Sequence, residues 1–398
     1  LMDKWVGEKL HELEELGEAE NTIVFYYADH GGALPRGKRN IHDSGSRVPL
    51  IIRFPEKWKH LAPGNPGETS DQLVAFVDFP ATAVNLCGLE IPGIWEGRPF
   101  LGPAAEEREF VYLFRGRMDE RYDTVRAVRT KEHLYVHNFS PHRPLGQAYT
   151  YPFRVLASMG SWYEAFKAGK CNEVQARYWQ QKKAEELYII KNDPFQIRNL
   201  IGEKDHRDVL NDLRAKLWNE ILRTRDTGLI PEGMYSRLAG SGTIHEFAQG
   251  EGYLADEVLS AASKAVRGDL GAGFSFARKC MQHESPLIRY WGVTGALMLG
   301  GEGAPLKDDL TELLDDPVYD VRVVVAEALG HLGESAKALP VLVKVVNEGN
   351  VYESLAAANA LEALGRDGAV PMATVKAVMP KKIRAEGARV VEAIEKIR

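Results

Sequence analysis

Three cysteines in 398 residues, Cys87, Cys171 and Cys280, are too few and too widely spaced for a disulfide framework or a cysteine zinc site. They read as reduced thiols. No apolar run approaches the roughly 18–20 residues that a bilayer-spanning helix needs. Basic charge is not in excess: 50 Lys and Arg stand against 56 Asp and Glu, a formal net charge of −6. That leaves no overall pull toward nucleic acid, and none is expected as a partner. The chain starts at Leu1 with no initiator methionine and no signal peptide. Over residues 1–20, Trp5, Val6, Leu10 and Leu13 fall at helical spacing, so the chain opens inside an amphipathic helix. It therefore reads as a fragment, and its compartment is open. What remains is ordinary globular composition, 44% hydrophobic and 27% charged, with length for two or three domains.

Gly17 and Asn21 end the first helix, and "TIVFYYA" (22–28) follows as a continuous apolar run. Such a run predicts a central strand buried on both faces, and helix, turn, strand is the grammar of a doubly wound α/β sheet. "VPLIIRFP" (48–55) is predicted as the next strand, and residues 73–89 as a helix around Pro80. From about 108 the runs 109–117, 122–130 and 132–139 are short and alternating, which predicts an antiparallel meander. Residues 185–201 add a last strand and turn, and 206–226 an amphipathic helix. After "GSGT" (240–243) the texture becomes helical and repetitive: "RYWGVTGALMLG", "RVVVAEALGHLG" and "SLAAANALEALG" align with Gly300, Gly333 and Gly365 in register. A period in the thirties marks a helical solenoid, and "DPVYDVRVVVAEALGHLG" resembles a HEAT repeat. The expected fold class is α/β: part of a doubly wound sheet over 1–107, a small antiparallel α+β subdomain over 108–239, then an all-α HEAT-like solenoid over 244–398.

The stretch "YYADHGGALPRGKRNIHDSGSRVPLIIRFP" (26–55) carries the chemistry. Ligands of doubly wound sheets bind beyond the carboxyl ends of strands, where Asp29 and His30 fall. Aspartate offers a hard oxygen and neutral histidine a nitrogen to a divalent cation. Gly31 and Gly32 let backbone approach closely. Arg36, Lys38 and Arg39 can donate to an anion. A metal and an oxyanion held side by side is one reading; a solvated surface loop is the other.

"ADHGG…GKRNIHDSGSRVPLIIRFP" resembles the sulfatase family, of the alkaline-phosphatase-like fold. Gly37-Lys38 and Ser44-Gly45-Ser46-Arg47-Val48-Pro49 keep that family's order and spacing, while His42-Asp43 stand where Tyr-Glu is common and Ser44 where Gly is common. "EELYIIKNDPFQIRNLI" (185–201) is similar to the family's C-terminal signature, with Ile189 in place of its usual Asp. The resemblance covers roughly residues 1–235. It implies that Asp29 and His30 ligate a divalent metal, calcium being the expected ion, and that Lys38 clamps the sulfate as charge develops. Arg47 is expected to pair structurally. Sulfatases use a formylglycine made from Cys or Ser in a Cys/Ser-x-Pro/Ala-x-Arg motif; none of the three cysteines here sits in one. The resemblance thus implies a metal-dependent sulfuric ester hydrolase whose nucleophile lies upstream, the chain itself being inactive alone. Phosphodiester or phosphonate hydrolysis on the same fold, and a non-catalytic module whose repeats recruit a protein partner, are the alternatives. By analogy such enzymes are periplasmic or secreted.

Arg115, Arg117, Arg121, His137, His142 and Arg143 crowd the meander. They read either as a cationic subsite for a sulfated sugar or small molecule or as ordinary strand and loop residues. His142 and Arg143 are the substrate-binding candidates, because "SPHRP" reads as an ordered loop. Trp162, Tyr163, Tyr178 and Trp179 are expected to pack rather than to stack on a sugar, and His331 to be structural.

Overall fold

The computed structural model describes residues 1–379 and Val390. The chain starts with helix α1 (Met2–Glu15), strands β1 (Val24–Tyr27) and β2 (Leu50–Arg53) and helix α2 (Asp78–Leu86). β1 and β2 pair antiparallel, Val24 opposite Arg53 and Tyr27 opposite Leu50. The predicted doubly wound sheet is therefore not formed by the described residues. A two-stranded ribbon stands in its place, with a helix on each face. Tyr26 Oη reaches Met2 Sδ of α1 at 3.6 Å. Phe25 and Tyr27 lie 6.2 and 4.9 Å, centroid to centroid, from Phe79 of α2. The apolar run of β1 correctly signals layers on both sides. The expected burial on both faces is not reached, since no residue of β1 is buried and Tyr27 stays 47% and Ile51 62% exposed; nor does the run carry information about the direction of its neighbour.

Residues 108–239 build a four-stranded antiparallel sheet of β3 (Val111–Arg115), β4 (Val125–Arg129), β5 (His133–Asn138) and β6 (Glu185–Ile189), in that spatial order. The predicted meander is thus present and is extended by β6. Helix α3 (Ala157–Lys167) lies in the excursion between β5 and β6, and α4 (Arg207–Thr224) follows β6. Strand alternation divides the sheet residues between two cores. Val128, Tyr135 and Leu187 join Leu213, Leu217 and Ile221 of α4 on one face. Val125, Ala127, Leu134, Val136 and Tyr188 face the other way, and there they receive Ile41 from the loop between β1 and β2. That side chain supplies the loop's apolar contact with the sheet.

Helices α5 (Ala255–Arg267), α6 (Pro286–Met298), α7 (Tyr319–His331), α8 (Ser335–Glu348) and α9 (Val351–Arg366) follow. α6 packs between α5 and α7, and α7 contacts both α8 and α9. The three aligned repeat segments fall on α6, α7 and α9, with Pro286 in the first turn of α6 where its missing N–H costs nothing. The turn at Asp316-Pro317 is closed by Asp316: one oxygen accepts from the Val318 N–H at 2.8 Å and the other pairs with Arg289 Nε of α6 at 2.7 Å. Part of the region expected to run to 398 lies outside the described residues. The core is continuous across residues 240–243, joining Ile221, Leu229 and Ile230 to Val258, Leu287, Trp291 and Val321. Trp291 Nε1 donates to the Leu229 carbonyl at 3.0 Å.

Candidate active site

The loop between β1 and β2 is closed by its own backbone. The Gly31 N–H donates to the Gly45 carbonyl at 2.8 Å and the Lys38 N–H to the Gly32 carbonyl at 2.9 Å. These approaches are too close for a side chain. A Cβ on Gly31 would sit 2.1 Å from the Ser44 carbonyl oxygen, and one on Gly37 2.1 Å from that of Gly32. The glycines of "DHGG" and "GK" are therefore spacing devices that bring Asp29-His30 and Lys38 onto one folded loop.

His30 Nδ1 lies 2.6 Å from the Gly31 carbonyl oxygen. Only an N–H can satisfy a carbonyl there, so Nδ1 carries the proton and Nε2 faces Asp29 Oδ2 at 3.3 Å. With a proton on Nε2 this is an ordinary ion pair; without one, the two acceptors leave room for a cation between them. This pair fits half of a divalent-cation site, one hard oxygen and one imidazole nitrogen whose other nitrogen is held by an outer hydrogen bond. Among the described residues, no group of three or more His, Cys, Asp or Glu is placed to hold a metal. The Asp29 carboxylate is 85% exposed.

Lys38 is the cation of this loop with no side-chain partner among the described residues. It lines a cleft of about 390 Å³, shared with Arg39, Asn40, Arg115, Tyr149 and Tyr178. The other two cations, expected as anion donors, are committed elsewhere. Arg36 donates to the Phe195 and Gln196 carbonyls at 2.5 and 2.8 Å. Arg39 pairs with Asp119 at 2.5 Å, its guanidinium 5.2 Å from the Tyr151 ring. Both use left-handed backbone, φ +61° and +79°, as do Gln196 and Asp119. Four of the six non-glycine residues with positive φ among those described thus belong to this loop and its anchors. Ser44 Oγ donates to the Arg36 carbonyl at 2.6 Å, and Asp43 N–H to Gln196 Oε1 at 3.1 Å. Asp43 itself accepts both arms of Arg129 at 3.2 and 3.1 Å. Arg47 stands 3.9 Å from Asp43, so the structural pairing expected of it is loose and exposed.

Beneath the loop, His42 Nε2 meets Glu186 Oε2 at 3.3 Å, and Glu186 also accepts from Tyr188 Oη and Asn138 Nδ2 at 2.6 and 2.7 Å. Burial alone would raise the Glu186 carboxyl; the bonds from His42, Tyr188 and Asn138 outweigh it and hold it at about 2. Burial and the nearby Arg36 lower His42.

The substrate-binding candidates are not brought to Lys38. Arg143 is spent on Glu327 of α7, 2.6 Å away. His142 lines a separate cavity against α7 and α9, and burial, with Arg143 and Lys182 nearby, holds its ring well below the usual imidazole range. The short "SPHRP" loop does order, but as a joint to the helices. The remaining cations disperse as well: Arg117 pairs with Glu232, Arg121 with Glu362, and His137 packs 4.8 Å from the Trp218 ring. Of that crowd, only Arg115 reaches the Lys38 cleft. It is 2% exposed; Nη2 donates to Tyr149 Oη, Nη1 stands 3.5 Å from Asp123 Oδ2, and Nε has no hydrogen-bond partner among the described residues. Trp162, Tyr163, Tyr178 and Trp179 pack together as expected, Trp162 stacked on Tyr178 at 4.6 Å. His331 stands 4.0 Å from Asp367, in keeping with a structural place.

Residues 1–89 match the sulfatase family. An ulvan-active sulfatase of Formosa agariphila is 38% identical over 237 residues, 58% of this chain and 38% of that protein. An N-acetylglucosamine-6-O-sulfatase of Bacteroides thetaiotaomicron is 35% identical over 100 residues, 24% of this chain and 17% of that one. A solved 2-O GAG sulfatase overlaps 64% of this chain and 48% of its own at 20% identity, with a TM-score of 0.41. The chain spans 38% of the length of each of two ulvan-active sulfatases of Formosa agariphila that it matches. Asp29, His30 and Lys38 fall inside the sulfatase-matched segment; Arg115, Asp119 and Gln196, which shape its surroundings, fall outside it. Asp119 and Gln196 are the site residues that motif reading missed; Arg115 figured only among the cations of the meander. The signal was present in "NDPFQIRN", where a degenerate signature serves as the loop's anchor.

Proposed function

We propose that this chain supplies part of the site of a sulfuric ester hydrolase acting on a sulfated carbohydrate. One observation supports the reading: Lys38, an ammonium with no side-chain partner among the described residues, shares a glycine-closed loop with Asp29 and His30, whose Oδ2 and Nε2 stand 3.3 Å apart. Anion and cation donors on one small loop suit an ester sulfate bound beside a divalent metal. Asp29 and His30 would contribute oxygen and nitrogen to that metal, for which calcium is the expected ion. When bound, the metal would polarise the sulfate and a formylglycine would supply the nucleophile; no cysteine of these 398 residues lies in the sequence motif that would yield one, and the serine that does, Ser263, is buried within α5.

The residues of this chain then have distinct tasks. Lys38 neutralises sulfate oxygens as charge builds on the leaving group, a fixed charge that needs no reorganisation. Arg115, already paired with Asp123 through Nη1 at 3.5 Å, would bring a second positive charge deeper in the same cleft. Arg36, Gln196 and Asp43 hold the loop so that Lys38 keeps its place. The ulvan- and glucosamine-directed relatives favour a glycan over an aryl sulfate as substrate. Helices α5–α9 are proposed as a HEAT-like array that presents a surface to a protein partner.

The test is ester hydrolysis by the protein as encoded at its native locus, with sulfated oligosaccharides as substrates. Lys38→Ala is expected to lower kcat/KM by about 100-fold or more while the fold persists, the scale of losing one pre-organised oxyanion donor. A rate near the parent's would remove Lys38 from the clamp.

A further inference from the structure

A second cavity, about 900 Å³ including its open mouth, lies between the antiparallel sheet and the helices. Its polar groups are mostly matched. Arg117 pairs with Glu232 at 2.6 Å and Arg143 with Glu327 at 2.6 Å. Glu362 is held by Arg121 and Arg366 at 3.3 and 3.4 Å. Asp320 is the exception. It is 4% exposed, and its Oδ2 has no hydrogen-bond partner. Nor does any cation among the described residues pair with it. Chain packs tightly around it: a Cβ on Gly233 would sit 2.4 and 2.5 Å from its two oxygens. Glu362 Oε1 and His142 Nδ1, lining the same cavity, are likewise unpartnered.

An unpaired buried carboxylate is costly unless something completes it. The described residues provide no metal-binding cluster here. The walls favour an organic cation. Tyr122, Tyr290 and Tyr352 present aromatic rings, and Arg117 already sits 5.4 Å from the Tyr352 centroid. Leu297, Val323, Val324 and Leu355 form an apolar side. Convergent polar anchors within an apolar wall are the usual make-up of a small-molecule site.

We propose that this cavity binds an organic cation, a primary ammonium or guanidinium carried on a small apolar body, with the Asp320 carboxylate as its anchor. Its ligand would touch the sheet's loops and helices α6, α7 and α9 together, at a place separate from the Lys38 cleft. The site does not depend on the sulfatase reading.

The experiment is calorimetric titration of the 398-residue protein at pH 8 with benzylamine and with arginine methyl ester, and with benzyl alcohol as the neutral control. Both cations are expected to bind, with benzyl alcohol at least roughly tenfold weaker. Asp320→Asn, an isosteric change that removes the charge and turns one acceptor oxygen into an NH2 donor, is expected to weaken both cations by a similar factor; its melting curve verifies that it is folded. Lys38→Ala, which is expected to impair ester hydrolysis, is expected to leave both amine affinities unaltered, which separates this site from the proposed ester site. Equal binding of amine and alcohol, no binding of either amine, or unaltered affinity in folded Asp320→Asn would each overturn the proposal.

Discussion

Asp320 makes the strongest statement available at the scale of one residue. Burial first, and the neighbouring Glu353 second, push its carboxyl up to about 7 from an ordinary 3.8. Between those values the folded chain keeps a proton that the unfolded chain has released. The fold is therefore least penalised below pH 4 and loses stability as pH rises toward 7, by on the order of 4 kcal/mol at about 1.36 kcal/mol per pH unit. Asp320→Asn removes that loss. Its melting temperature is expected to exceed the parent's at pH 8 and to approach it at pH 4, as read by circular dichroism in the absence of ligand. A binding anchor retained at such a cost is the usual exchange of stability for function.

At the scale of elements, the loop between β1 and β2 shows how sequence and structure divide the information. Its glycines and its lone lysine were legible, because close approach and a cation after a strand leave marks in residue type. The strands β3–β5 were legible from their alternation, and α6, α7 and α9 from their repeating small and large apolar residues. The fate of Arg36 and Arg39 was not. Whether an arginine meets an anion or a backbone carbonyl depends on partners some 80 to 160 positions away, Asp119 and Phe195-Gln196, and no local pattern encodes them. The same blindness applies to Arg143, whose partner Glu327 comes from a helix far downstream. The direction of β2 was also hidden, since an apolar run looks alike beside either kind of neighbour. A prediction follows from the loop's tight closure. Gly37→Ala would push a methyl against the Gly32 carbonyl, so amide hydrogen exchange over residues 31–45 should accelerate by an order of magnitude or more, while α5–α9 keep their protection. Unchanged exchange in the loop would show that the backbone has room to spare.

For the whole molecule, sheet and helices share one interior. Leu217 and Ile221 of α4 belong to the same buried cluster as Trp291 and Val321, and ion pairs from the 117–143 region reach residues 232, 327 and 362. Scanning calorimetry should therefore record residues 108–366 melting in one cooperative transition. Two separable transitions, with Trp291→Phe shifting only one of them, would mean that the two regions fold independently.

The indole of Trp291, bonded to a main-chain oxygen on the far side of the glycine-rich junction, also bears on how such a protein could have diversified. An appendage fastened through its neighbour's interior cannot be exchanged as a cassette. A descendant that lost these helices would first have to repaint Leu217, Ile221, Leu229 and Ile230 in polar colours, so changes in helix number should arise beyond α7, where nothing of the sheet's core is torn open.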